Sequence, residues 1–141
     1  MIAHIFTTLL HGASLFRAET AHLPLAVLIW MWAMRISLGA SIVFLPRPGA
    51  LATLGVMLTT GLSRFYIKGL YPDIPAAHIG AISHIVLWAP LAGFLIYTMS
   101  GKQIPTRSNF ERAYRIWRAV AIAVIAVSLV FDVREVAAIL G

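Results

Sequence analysis

The chain has 141 residues, 60% of them hydrophobic and only 11% charged, with a mean hydropathy of +0.88, a formal net charge of +6 and no cysteine. A water-soluble domain carries about 25% charged residues, so this composition points to a membrane protein. The missing thiols exclude disulfides, a thiol nucleophile, cysteine zinc sites and cysteine-ligated iron–sulfur clusters, and the basic excess sits in loops beside apolar runs, so no nucleic-acid partner is expected.

Along residues 1–18, Ile2, Ile5, Phe6, Leu9, Ala13 and Phe16 recur at helical spacing, with His4, Thr7, Thr8, His11 and Ser14 on the other side. That pattern predicts a short interfacial helix on the outer leaflet; a hydrophobic terminus packed on a neighbouring helix fits it equally well. The stretch has neither a basic leading region nor a small-residue cleavage site, so a secretory signal peptide is not expected.

A spanning helix needs about 20 mostly apolar residues, and four windows supply them: residues 23–45, 50–71, 76–99 and 112–138. Pro24 opens the first, where a missing N–H costs little. The run Pro46, Arg47, Pro48, Gly49 closes it, and Pro72, Asp73, Ile74, Pro75 close the second. Connections this short force the first three spans to run antiparallel. Ser108 and Asn109 form a cap-like start for the fourth, and the loop 102–111, with Pro105, is the one connection long enough to reach a partner. The expected fold is therefore all-α, a polytopic membrane protein of one domain, with four transmembrane helices in a compact bundle plus the N-terminal interfacial helix.

Orientation follows from basic residues in short loops. Arg47, Lys102, Arg107, Arg112, Arg115 and Arg118 fall on one side; Arg17, Lys68 and Arg134 fall on the other, beside Glu19, Asp73, Asp132 and Glu135. The richer side is expected to be cytoplasmic, in a bacterial inner membrane, with both termini in the periplasm. Trp117 among these basic residues reads as a membrane-interface anchor. Arg112, Arg115 and Arg118 read as a flank for anionic lipid headgroups or simply as the positive-inside bias.

Ionisable residues inside spans are costly, and each is a candidate site until a partner explains it. Arg35 lies about 18 Å along the helix from the start of the first span, with no carboxylate at its own depth. Arg64, His84 and Asp132 come from the other three spans, each about 10 Å from the outer end. Two readings follow: an Arg64–Asp132 pair that registers two helices, or a hydrated vestibule for an anion or a proton. Arg35 in turn faces either a bound anion or water-filled path, or acceptors from another subunit. Ala33, Ser37 and Ser41 form a small-residue stripe suited to close helix approach, and Arg35 points about 200° away from its start.

The five histidines offer no metal or haem cluster. The best-matched pair, His22 and His78, lies at the interface, and His78 and His84 point about 240° apart on one helix. No metalloprotease, hydrolase, nucleotide-binding or paired-carboxylate motif is present, so neither an enzyme nor a cofactor is expected. The functional expectation is a self-assembling four-helix protein whose polar residues Arg35, Arg64, His84 and Asp132 bind or conduct a small anion or protons. The alternatives are a non-catalytic accessory subunit of a larger membrane complex and, more remotely, a haem or quinone redox subunit.

Overall fold

The computed structural model describes residues 1–100 and 108–141, with Ser100 described by its backbone alone. Among the described residues there are five α-helices and no strand: α1 (Ile2–Thr20), α2 (Leu25–Gly39), α3 (Pro48–Leu70), α4 (Ala76–Ser100) and α5 (Asn109–Leu140). The first span is completed by a 3₁₀ segment, Ala40–Phe44. Four helical stretches, Leu25–Phe44, Pro48–Leu70, Ala76–Met99 and Asn109–Leu140, are long and apolar enough to cross a membrane. The chain is thus an all-α protein of the multi-pass membrane type. The expectations for Lys102, Pro105 and Arg107 lie outside the described residues.

Helix ends depart from the sequence-based bounds for local reasons. Pro48, expected in a turn, begins α3, because its fixed φ suits the first helical position and its missing N–H is not needed there. The fourth span starts three residues early because Ser108 caps it, its hydroxyl accepting the Glu111 N–H at 3.2 Å. Ser-x-x-Glu is the capping-box spacing. Glu111 also pairs with Arg47 across the α2–α3 connection.

The apolar core joins α2, α3, α4 and α5 away from the α3–α4 turn. Leu38, Leu95, Ala121 and Ile125 are fully buried there. Phe44 swings in from the 3₁₀ segment to meet the Trp117 ring at 5.4 Å and the Tyr114 ring at 5.5 Å. Trp117 is itself 6% exposed and donates its indole N–H to the Ser37 carbonyl at 2.8 Å. Trp117, expected as a membrane-interface anchor, thus places its N–H on an acceptor inside the bundle.

The other end of the bundle is held by polar contacts. α1 is docked on α3 where Gly12 and Gly69 meet: a Cβ on Gly12 would strike the Phe65 carbonyl, and one on Gly69 would strike the Thr8 carbonyl. Lys68 is 1% exposed, yet all three ammonium protons are used. It donates to the carbonyls of Pro72 and Ile74, both at 2.7 Å, and pairs with Glu19. The second Glu19 oxygen accepts the Ala76 N–H, at the start of α4, at 2.8 Å. One carboxylate from α1 therefore fastens the end of α3 to the start of α4. The sequence places Lys68 and Glu19 on the same side, Lys68 four residues beyond Arg64, but does not show that they pair.

Candidate functional site

Arg64, His84 and Asp132 converge, with the histidine in the middle. The Arg64 Nη2 lies 2.8 Å from His84 Nε2, and His84 Nδ1 lies 2.9 Å from Asp132 Oδ2. A guanidinium has donors and no acceptor, so Nε2 must be the unprotonated ring nitrogen and Nδ1–H must donate to the carboxylate. The tautomer is assigned by this donor count. The Ser128 hydroxyl adds a second bond to Asp132 Oδ2 at 3.3 Å. Arg64 and Asp132 are thus bridged by the imidazole, and the network carries no net charge.

Trp88 supports this network from one turn along α4, its ring centroid 4.7 Å from that of His84. Its indole N–H is fixed by the buried Thr60 hydroxyl at 2.7 Å. Phe16 of α1 closes over the other side, its ring 5.8 Å from the Arg64 guanidinium carbon.

The histidine uses one nitrogen of Arg64 and leaves the rest of the fork. Arg64 Nε is buried and, among the described residues, has no hydrogen-bond partner. The side chain borders a cavity of about 430 Å³ between α1, α2 and α3. From α2 the walls are Met31, Met34 and Arg35; Met57, Gly61 and Phe65 come from α3, with Phe16 and Trp88 at the ends.

Arg35 therefore lines the same cavity as Arg64. Among the described residues no carboxylate or hydrogen-bond acceptor engages it, and its neighbour is Trp32, whose ring centroid is 5.3 Å from the guanidinium carbon. The two-faced expectation for this helix is resolved unevenly. Met34, Leu38 and Ser41 are buried against the bundle, Ala33 is exposed, and Arg35 sits beside Met34 at the cavity rim. The stripe is split because Ser41, seven residues from Met34, falls on the Met34–Leu38 face, about 80° from Ala33; among the described residues its buried hydroxyl has no partner.

The remaining expected positions lie elsewhere. Arg118 turns back onto α4, donating to the Thr98 carbonyl at 3.0 Å, with its guanidinium carbon 4.7 Å from the Tyr114 ring centroid. That internal use takes it out of the basic row, where Arg112 stays exposed and Arg115 half-buried. His78 lies 3.4 Å from Glu135. Among the described residues, no group of three or more metal-ligating side chains is assembled.

Compared with protein-family models, with curated proteins and with solved structures, the chain matches none. What fold and composition define is a class, the small multi-pass helical membrane protein, here with two arginines on one cavity within its spans.

Proposed function

We propose that this protein binds a small anion in the cavity between Arg35 and Arg64. One observation carries the reading: Arg35, without a carboxylate partner among the described residues, borders the same cavity as the Arg64 side chain. Arg64 and Asp132 cancel, His84 is neutral in its assigned tautomer, and Arg35 leaves one positive charge over. An unpaired charge in a medium of low dielectric is costly, and a bound monoanion removes that cost. The planar arginine fork suits carboxylate and phosphate oxygens.

The same geometry favours an anion over proton transfer. A second proton on His84 would go on Nε2, against the Arg64 guanidinium, and would demand that Arg64 leave. Binding is also favoured over conduction by a single protomer, because the packed Leu38, Leu95, Ala121 and Ile125 core fills the bundle beyond the cavity. Passage would call for a pathway between self-assembled copies. An accessory-subunit role is the second reading, favoured by the exposure of Arg35, which a partner's acceptors would then cover.

Thermal unfolding of the detergent-solubilised protein with acetate, nitrate or phosphate at constant ionic strength tests the proposal. A ligand that binds only the folded state raises the midpoint as its concentration passes the Kd. The expected result is saturable stabilisation that Arg35→Gln abolishes; the same response in the variant overturns the reading. A second chain held at fixed stoichiometry in native mass spectra, and released by Arg35→Gln, would support the accessory role instead.

A further inference from the structure

The size, wall chemistry and position of the cavity narrow its occupant beyond a bare ion. At about 430 Å³ it is within the range of organic-ligand sites, and it equals roughly fourteen water volumes at about 30 Å³ each. A small inorganic anion between the two guanidinium groups would fill a minor part of it. The rest is walled by three methionines and three aromatic rings, and unbranched thioether side chains adapt to flexible apolar ligands.

The cavity also lies where the bilayer can reach it. In the first half of α2, residues 25–33, no side chain is buried, and Leu25, Ile29 and Trp32 are 60% exposed or more. This half of the helix stands off from its neighbours, and Arg35 sits where it rejoins the bundle through Met34 and Leu38. Arg64 is six residues from the end of α3, about 9 Å along the axis at 1.5 Å per residue. The two cationic groups therefore lie below the helix ends, next to apolar space open along α2.

We infer that the ligand is a singly charged amphiphile, a carboxylate or phosphodiester headgroup on an apolar chain, which enters sideways from the bilayer between α2 and α3. Its headgroup bridges Arg35 and Arg64, and its chain lies along Met31, Met34 and Met57. The inference rests on the anion-site reading and adds the chain to it. Charge complementarity selects a monoanion, because the excess on the cavity is one positive charge.

The test uses the full chain in nanodiscs of phosphatidylcholine, with thermal unfolding and native mass spectrometry as readouts. Four probes are compared: acetate, dodecanoate, dodecanol and phosphatidylglycerol. Dodecanoate or phosphatidylglycerol is expected to stabilise the protein and to be retained at one per protomer, at concentrations where acetate and dodecanol have no effect. Which of the two acts identifies the source of the headgroup. Arg35→Gln is expected to weaken that binding about tenfold or more, the equivalent of one charge-assisted hydrogen bond. Arg134→Gln, which removes an exposed charge of the same sign, is expected to leave it unchanged.

Acetate as effective as dodecanoate would overturn the amphiphile while leaving the anion site standing. Dodecanol as effective as dodecanoate, or no binding by any probe, would overturn both. Among the described residues Arg35 makes no hydrogen bond or ion pair, only the contact with the exposed Trp32 ring, so its variant is expected to keep the fold; Arg35→Lys, which keeps the charge without the fork, is expected to bind with intermediate strength.

Discussion

His84 stands where its imidazole accepts from Arg64 and donates to Asp132 at once. It is buried at 7% exposure, so His84→Ala leaves a guanidinium and a carboxylate facing a gap that neither spans. Breaking a buried charged arrangement costs about 3–5 kcal/mol, and the expected outcome is a loss of that order in chemical denaturation. A loss under about 1 kcal/mol would mean that water replaces the ring without penalty. Helix arithmetic was enough to bring Arg64, His84 and Asp132 to one depth. Their order was not legible, because rise per residue fixes depth, whereas rotation about each axis decides which side chain stands between the others. The partner of Trp117 was not legible for a related reason: an acceptor eighty positions away, the Ser37 carbonyl, becomes available only once α2 and α5 pack.

At the scale of elements, α1 shows how a weakly apolar helix is held to a bundle. Its first turns leave Ile2, Phe6 and Leu10 exposed, while Gly12 and Phe16 are buried against its neighbours. The amphipathic spacing was readable, but the glycine contact that chooses between lying at the interface and packing on α3 requires the partner backbone. Gly12→Ala places a methyl group against a carbonyl that no rotamer change can move. Overpacking costs about 1–3 kcal/mol, which multiplies local opening of α1 roughly tenfold; faster tryptic cleavage after the exposed Arg17, with the spans intact, is the expected observation. Unchanged cleavage would show that α3 yields. Glu19 adds a pH dependence to the same contact. The bond from Lys68, and then that from the Ala76 N–H, hold its carboxyl below the ordinary glutamate value of 4.5. The depressed folded-state value means that its contribution is complete above about 4.5, the unfolded value, and is lost as pH falls through the folded one. Cleavage after Arg17 should therefore accelerate on acidification, read with a protease active in acid, and Glu19→Gln should remove most of that dependence.

For the whole molecule, the four spans were legible because about 20 apolar residues in a row admit few other structures, and each turn between them is marked by proline. The division of the bundle into a packed half and a polar half was not legible, since both halves draw on the same helices and similar hydropathy. Orientation in the membrane is the property of the whole chain that its charges argue for most directly. Arg47, Arg112, Arg115 and Arg118 gather at the end away from the α3–α4 turn. On the turn side the basic residues are Arg17, Lys68 and Arg134, with Glu19, Asp73, Asp132 and Glu135 beside them. Basic residues near span ends bias orientation, and this distribution is the reason the α3–α4 turn is expected outside the cytoplasm. The natural absence of cysteine makes this directly measurable. Asp73→Cys in the exposed turn is expected to react with a membrane-impermeant maleimide on intact spheroplasts, while Asn109→Cys at the exposed start of α5 reacts only after lysis. The reverse pattern would invert the topology and put the mouth of the arginine cavity nearer the cytoplasmic leaflet, from which its ligand would then have to come.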